Sequence, residues 1–210
     1  MGKISVLAGI NGAGKSSVFG VEIRESRADY FNPDEIARKI LIENPAMPVA
    51  EANSVAWLEG KKLLEHAIED DSDFAFETTL GGGTIPRLLR EAADKGCSVR
   101  ILYVGLASVD LHLARVKARV AKGGHDIPET DIRRRWEASM LNLIALMPKL
   151  TALRVFDNSA DGDPISGNAP SPVLVLEMKN GAITSPPDLS KTPTWAKPLV
   201  ATAIKQDLQD

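Results

Sequence analysis

The stretch GINGAGKS, residues 9–16, decides how this 210-residue chain folds. Two glycines bracket four residues and are followed by a lysine and a serine, which is the P-loop pattern. A short apolar run rich in β-branched residues, 4–8, precedes it, and residues 16–27 have helical character. A buried strand, a tight glycine turn and a helix in this order predict the opening of an α/β protein.

The glycines let the backbone wrap closely, so that successive N–H groups point at phosphate oxygens. The N-terminus of the following helix adds its partial positive charge. We expect Lys15 to span the β- and γ-phosphates of ATP as a catalytic residue, and the Ser16 hydroxyl to bind Mg²⁺. The predicted nucleotide-binding residues are Gly9, Asn11, Gly12, Ala13, Gly14, Lys15, Ser16 and Ser17.

Strand and helix patterns alternate along the rest of the chain. Short apolar runs predict strands near residues 30–32, 73–79, 99–104 and 153–156, with helices between them. Asn180-Gly181, between the apolar residues 173–178 and Ile183, predicts a C-terminal antiparallel hairpin. The fold class predicted is α/β, a doubly wound P-loop NTPase-type sheet that is mostly parallel, with helices on both faces. Helix caps are expected at Asp34, at Thr84, at Ser108 and at the Asp126/Glu129 pair.

Composition excludes several classes of protein. The net charge of −3 argues against a general nucleic-acid binder, so any bound anion must be held by a local cluster of cations. Cys97 is the only cysteine and cannot form an intramolecular disulfide. No apolar run approaches the roughly 18 residues of a membrane span. We expect a cytoplasmic protein without a nucleic-acid or membrane partner.

The P-loop alone does not distinguish kinases, GTPases and motor ATPases. A GTPase would carry Asn-Lys-x-Asp, which the chain lacks. A motor ATPase would end a hydrophobic strand in Asp-Glu, whereas FAFETT carries Glu77 alone. A small-molecule kinase, which closes an arginine-bearing lid over the transferred phosphate, fits the length of the chain.

The segment GGHDIPETDIRRR, residues 123–135, has the composition of such a lid. Its glycines permit a hinge, and Pro128 begins the next helix. Arg115 and Arg119 are four residues apart and share a face of the preceding helix. We predict that Arg119 contacts phosphate, with Arg115 in reserve; the alternative for any one arginine is an exposed ion pair.

The three consecutive arginines cannot all point the same way, because each residue turns a helix by about 100°. If Ile132 and Trp136 are buried, Arg135 flanks their face most closely, Arg134 faces away and Arg133 is intermediate. We therefore predict Arg135 as the second catalytic phosphate contact, with Arg134 in reserve.

Asp34, in NPDEIA, is the candidate general base, because it follows the second strand and a carboxylate there can accept a proton from an attacking hydroxyl. Its alternative role is that of a helix N-cap. The predicted substrate-binding residues are Asn32, Asp34, Glu77 and Thr79. Alternatively, Glu77 holds the hydration shell of Mg²⁺.

The segments GINGAGKSS, NPDEIA, FETTLGG, GGHDIPETDIRRRW and VFDNS together resemble the zeta toxin family of P-loop kinases, over residues 3–159. They look most like its short stand-alone members with a GHDIPE lid. The best-known zeta toxins use ATP to phosphorylate a sugar hydroxyl of UDP-N-acetylglucosamine. The resemblance implies that Lys15 and Ser16 bind ATP and Mg²⁺ and that Asp34 is the base. It also implies Glu77 and Thr79 on the substrate side, lid arginines on the phosphates, and an antitoxin as a partner protein.

The leading hypothesis is therefore an ATP- and Mg²⁺-dependent kinase of a hydroxyl on a small molecule, such as a nucleotide sugar. The alternatives are a kinase of another metabolite without a toxic role, and an ATP-binding module with little turnover. We expect a kinase domain at residues 1–184, including the lid at 122–135, and a proline-rich tail with a short C-terminal helix at 185–210.

Overall fold

The P-loop strand lies inside a seven-stranded sheet in the computed structural model, which describes residues 1–18, 30–124, 126–160 and 171–208. The strand order is β2-β3-β1-β4-β5-β6-β7. The first five strands are parallel to one another, and the last two pair antiparallel. The strands are β1 Lys3–Ala8, β2 Tyr30–Phe31, β3 Phe74–Thr78, β4 Ser98–Gly105, β5 Ala152–Asp157, β6 Val173–Lys179 and β7 Ala182–Ser185.

Helices connect the parallel strands, as the alternating pattern predicts. In the described residues they are α1 Lys15–Val18, α2 Pro33–Glu43, α3 Val49–Glu69, α4 Thr84–Asp94, α5 Val109–Ala121, α6 Glu129–Leu146 and α7 Lys197–Asp207. The predicted mostly parallel α/β class is confirmed.

Both faces of the sheet are covered. Ile4, Val6 and Ala8 of β1 belong to the largest core cluster, which includes residues of α3, α4, α6 and α7. Leu7 points to the other face and packs with Ala13 at the P-loop. A strand covered on both faces is apolar at successive positions, which is why β1 reads as a continuous apolar run.

The first helix cap differs from the prediction. Asn32, and not Asp34, is the N-cap of α2, and its Oδ1 accepts hydrogen bonds from the backbone N–H groups of Asp34 at 2.9 Å and Glu35 at 3.4 Å. Pro33 begins the helix, where its missing N–H costs nothing. The side chain of Asp34 is therefore not used as a cap.

Two more cap predictions were wrong and one is confirmed. The predicted cap residue Thr84 is instead the first residue of α4. Pro128 occupies the N-cap of α6 without a side-chain bond, because Asp126 accepts from its neighbour Ile127 at 2.8 Å and is too far back in the chain to cap. Ser108 does cap α5, accepting from the N–H of Leu111 at 3.2 Å.

The C-terminal segment returns to the core. Asn180 and Gly181 have φ angles of 48° and 88°, as a type I′ turn requires, which confirms the hairpin. Trp195 and Leu199 are buried in the same cluster as β1. A Cβ atom at Gly105 would lie 2.2 Å from the Trp195 ring, so this glycine of β4 makes room for the indole. The division at residue 184 stays a prediction.

Some predictions lie outside the described residues. The helix expected at 16–27 is described only as far as Val18, without the side chains of Ser17 and Val18. His125 of the lid is also outside them. None of the described helices is long and apolar enough to cross a membrane.

Candidate active site

Three parallel strands bring the predicted site residues to one edge of the sheet. Leu7 of β1 is paired with Glu77 of β3, and Phe76 of β3 is paired with Phe31 of β2. The P-loop, Glu77 and Asn32 therefore follow neighbouring strand ends, where open α/β sheets bind their ligands.

Glu77 is the centre of a buried polar cluster at this edge. Its Oε1 lies 3.3 Å from the Lys15 ammonium. Its Oε2 accepts hydrogen bonds from the Ser16 hydroxyl at 2.8 Å, the Tyr30 hydroxyl at 2.9 Å and the Asn32 amide at 3.3 Å. Lys15 also donates to the carbonyl of Ile10 at 3.4 Å. One carboxylate thus holds both P-loop side chains that were predicted to bind ATP and Mg²⁺.

Burial of the Glu77 carboxyl by itself raises its pKa. The positive charge of Lys15 and the hydrogen bonds from Ser16 and Tyr30 act in the opposite direction and together outweigh burial, so the pKa of Glu77 lies below its usual value. Glu77 is therefore ionised at neutral pH and can attract a cation.

The carbonyl groups of the P-loop are held from behind by two buried side chains. His112 of α5 donates from Nδ1 to the carbonyl of Asn11 at 2.8 Å, because a carbonyl can only accept. Asn158 donates from its amide to the carbonyl of Ala13 at 2.8 Å. Both side chains are about 1% exposed. Because His112 and Asn158 bind these two carbonyl groups, the N–H groups of the loop remain available to an anion.

The loop also depends on close backbone approach. Gly12 has a φ of 84°, and a Cβ atom there would lie 2.7 Å from the backbone oxygen of His112. A side chain at this position would push the P-loop away from α5. The predicted requirement for glycine thus arises from packing as well as from the phosphate.

Sequence reasoning assigned no role to His112 or Asn158. Asn158 carried a usable signal, since it follows a predicted strand end. His112 carried no such signal, because a single histidine on a helix has no distinguishing pattern.

The imidazole ring of His112 packs edge-on against the ring of Trp136, with 5.3 Å between the two ring centroids. Burial lowers the pKa of His112 to about 4, and the charges of Lys15 and Arg115 act in the same direction, so the ring is neutral at pH 7.

Arg135 reaches the P-loop from α6. Its Nη1 donates to Oδ1 of Asn11 at 2.8 Å, and its Nη2 lies 3.8 Å from Asp131. Arg134 is 67% exposed and pairs with Asp131, while Arg133 is 49% exposed and pairs with Glu129 and Asp110. The helical geometry therefore orders the three arginines as expected, with Arg135 at 28% exposure.

A glycine loop after β3 fixes the position of Arg135. A Cβ atom at Gly81 would lie 2.6 Å from Cγ of Arg135. Asn142, two turns further along α6, donates to the carbonyls of Leu80 at 2.7 Å and Gly82 at 3.0 Å. The loop and α6 are thus joined, while Gly82 and Gly83 face open space.

Arg119 lies elsewhere. It lines a second cleft of about 830 Å³ together with Arg115, Arg38, Lys122 and Asp34, and this cleft does not include Lys15. Arg115 donates to the carbonyl of Ala160 at 3.2 Å. Phosphate contact by Arg119 stays a prediction.

The main cleft has a volume of about 900 Å³, and the predicted residues that line it are Asn11, Lys15, Asn32, Asp34, Glu77, Thr79 and Arg135. Asp34 is exposed in the first turn of α2 and lines both clefts. Thr79 lines the main cleft, with its hydroxyl accepting from the N–H of Gly81 at 3.3 Å. Asn32 is buried, and its side chain is bonded to α2 and to Glu77. Substrate contact by Asn32 and Thr79 stays a prediction.

Comparison with known proteins identifies the family. The model of the zeta toxin family matches residues 2–161. The chain belongs to the zeta toxin family. Family membership supports a nucleotide-dependent kinase.

A protein of Haemophilus influenzae (strain Rd), described as uncharacterized, is 33% identical over 128 residues, which are 61% of this chain and 88% of that protein.

Solved structures agree on the fold. A crystal structure of AvrRxo1-ORF1:-ORF2 with ATP has a TM-score of 0.65 at 15% identity, covering 97% of this chain and 64% of that chain. This protein thus spans less than two thirds of the AvrRxo1 chain. A structure of the PezAT chromosomal toxin-antitoxin system of Streptococcus pneumoniae has a TM-score of 0.59 at 13% identity. The match covers 97% of this chain and 85% of that chain. Both share the fold of the zeta-family chain.

Proposed function

We propose that this zeta-family protein transfers the γ-phosphoryl group of ATP to a hydroxyl of a small molecule. The observation that carries the proposal is a single cleft lined by Lys15, Glu77, Arg135 and Asp34, with the Ser16 hydroxyl bonded to Glu77. Cations beside the transferred phosphate and an exposed carboxylate near the acceptor are what phosphoryl transfer to an alcohol requires.

The reaction follows from these positions. The oxygen of the acceptor hydroxyl forms a bond to the γ-phosphorus, the bond from that phosphorus to the β–γ bridging oxygen breaks, and ADP leaves with the electron pair. Asp34 accepts the proton of the hydroxyl. Lys15 and Arg135 stabilise the charge that spreads over the transferred group.

The residues present also suit Mg²⁺. Ser16 and the ionised Glu77 are hard oxygen donors 2.8 Å apart, and they would hold the ion directly or through its water molecules. Within the described residues there is no cluster of three or more histidine, cysteine or acidic side chains, which fits an ion held largely by substrate phosphates. When bound, Mg²⁺ supplies charge neutralisation at the phosphates.

A nucleotide sugar such as UDP-N-acetylglucosamine is one acceptor that this function admits, and an antitoxin is one partner. The name of the PezAT system refers to a toxin and an antitoxin. Growth arrest on induction, abolished by Lys15→Ala, would support a toxic role. Normal growth with active kinase would indicate a metabolic kinase instead.

The test is an assay of phosphate transfer from labelled ATP with the purified protein and a panel of hydroxylated metabolites. Asp34→Asn should lower kcat by about 10²–10⁴-fold while leaving ATP affinity within a few-fold, since the base acts only in the transition state. Glu35→Gln is the matched control, because it removes a carboxylate from the same helical turn. Equal rates for wild type and Asp34→Asn would contradict the assignment of Asp34, and ATP binding without transfer to any acceptor would favour the low-turnover module.

A further inference from the structure

We propose that Asn142 of α6 is a positioning residue that makes Arg135 and the loop of residues 79–83 move as one unit. This inference rests on the proposed kinase function, because it gives the loop a part in phosphoryl transfer. The side chain of Asn142 does not line the main cleft, so its effect on the reaction passes through the groups that it holds.

The loop of residues 79–83 has a strained backbone. Leu80 has a φ angle of 53°, in the left-handed region that leucine rarely adopts, and its side chain is 1% exposed. A conformation of this kind persists where the surrounding structure holds it in place, and such positions cluster at functional sites. The Thr78 and Thr79 hydroxyl groups accept from the N–H groups of Leu80 at 3.2 Å and Gly81 at 3.3 Å. These bonds shape the turn locally, so longer-range contacts must set its position in the site.

Asn142 supplies contacts of that longer range. Its amide donates to the carbonyl groups on either side of Gly81, at 2.7 Å to Leu80 and 3.0 Å to Gly82, across 62 and 60 residues of sequence. A side-chain amide has two donors, and a single loop accepts from this one at two points. Two bonds from one planar group fix the orientation of the loop as well as its distance from α6.

The same helix carries Arg135. Seven residues, or about two turns, separate Arg135 from Asn142, so both lie on one side of α6. Gly81 of the loop packs against the base of Arg135, since a Cβ atom there would lie 2.6 Å from Cγ and 3.2 Å from Cα of the arginine. The guanidinium in turn donates to Asn11 of the P-loop at 2.8 Å. A shift of α6 that moves Arg135 relative to the P-loop must therefore also move the loop of residues 79–83.

This loop is part of the wall of the main cleft. Thr79, Leu80, Gly82 and Gly83 line the cleft, and Glu77 of β3 lies shortly before them in the chain. Asn142 thus links the wall of the cleft to the arginine proposed to contact the transferred phosphate. The link keeps the two in register during the reaction, in which a displacement of about 1 Å can lower the rate about 10²-fold.

The P-loop is held independently of Asn142. His112 of α5 and Asn158, which follows β5, bind its carbonyl groups at 2.8 Å each. Loss of the Asn142 amide should therefore leave ATP binding unchanged, whereas a general loss of structure would weaken it. This difference separates a positioning role from a contribution to the stability of the fold.

The experiment measures kcat and both KM values for wild type, Asn142→Ala and Asn142→Asp, with the acceptor that reacts fastest in the metabolite panel. Asn142→Asp keeps the size of the side chain but removes both donors. We expect either variant to lower kcat about tenfold and to raise the KM for the acceptor, with the KM for ATP unchanged. Leu141→Ala is the matched control and should behave as wild type, because Leu141 is the neighbouring residue of α6 and is 65% exposed.

A double-mutant cycle with Arg135→Ala tests the coupling itself. If Asn142 acts through the guanidinium, Asn142→Ala should change kcat by less than about twofold once Arg135 has been removed. An equal loss of kcat in both backgrounds, or a raised KM for ATP, would overturn the inference. Asn142→Asp with the kinetics of wild type would also overturn it.

Hydrogen exchange of the loop separates this inference from the kinase proposal, because it requires no phosphate transfer. Binding of Mg²⁺ and the non-hydrolysable analogue AMP-PNP should slow exchange at residues 79–83 in wild type, through α6 and Asn142, but not in Asn142→Ala. That result in a protein without transfer to any acceptor would support the coupling and count against the kinase. Loop exchange that responds to AMP-PNP equally in both proteins, or in neither, would overturn the coupling, whatever the kinase activity.

Discussion

The two halves of the main cleft are built differently. At the phosphate end, polar groups hold one another: Glu77 contacts Lys15, Ser16, Tyr30 and Asn32, and buried side chains hold two P-loop carbonyls. The acceptor half, formed by α3, the first turn of α2 and the loop after β3, is lined by partly exposed apolar side chains, glycines that face open space and a few polar groups.

This difference follows from the chemistry of the two substrates. Every nucleoside triphosphate carries the same charged phosphate chain. The protein groups that bind this chain can therefore be oriented in advance, which lowers the cost of stabilising the transition state. An acceptor is recognised by shape and by a few hydrogen bonds, for which an apolar wall is sufficient. Variants at the phosphate end should therefore change the rate, and variants at the acceptor end, apart from those of the base Asp34, should change KM.

The largest effect at the phosphate end is expected from Glu77→Gln. Because Glu77 holds Lys15 and Ser16 with a full negative charge, its loss should lower kcat about 10²–10³-fold. Tyr30→Phe, which removes a single hydrogen bond to the same carboxylate, is the graded control and should cost far less. A kcat for Glu77→Gln within a few-fold of wild type would show that the two halves do not differ in this way.

The same variant carries a pH signature. The pKa of folded Glu77 is below its ordinary value, so its contribution to stability is present above the unfolded pKa of about 4.5 and is lost as pH falls through the lower folded pKa. Thermal unfolding between pH 7 and pH 3 should therefore show a smaller acid-induced loss of stability in Glu77→Gln than in wild type.

An intermediate effect is expected where the two halves meet. Gly81→Ala places a methyl group against Arg135 and should lower kcat/KM about tenfold by displacing the guanidinium from Asn11. Gly82→Ala is the matched control, because a Cβ atom there meets nothing within 4 Å. Kinetic measurements with ATP as the varied substrate compare the two. Equal effects would show that Arg135 is not positioned by the loop.

The smallest effect at neutral pH is expected from His112→Asn. Asparagine can keep the hydrogen bond to the Asn11 carbonyl but does not titrate, so kcat at pH 7 should stay within a few-fold of wild type. The folded pKa of His112 is about 4, compared with 6.5 in the unfolded chain. The unfolded state of wild type therefore binds the extra proton, and stability falls as pH drops from 6.5 towards 4.

Denaturant unfolding at pH 7 and pH 5 checks this prediction. Wild type should lose more unfolding free energy between the two pH values than His112→Asn. Identical losses would mean that His112 is not buried as a neutral ring behind the P-loop.

By itself the sequence determined the local features of this protein. The pattern of residues 9–16 predicted the P-loop, Asn180-Gly181 predicted the hairpin, and the 100° step of a helix ordered the three lid arginines. These features depend on neighbours in the chain, such as backbone angles and spacing, which can be read directly from residue types.

Only the tertiary structure decided which distant residues meet. Glu77 lies 61 residues from Ser16, and Asn158 lies 145 from Ala13, yet each pair is hydrogen-bonded. The position of Arg119 in a separate cleft was likewise decided by packing. Such contacts depend on strand order and helix packing, and a single sequence carries no local signal for either.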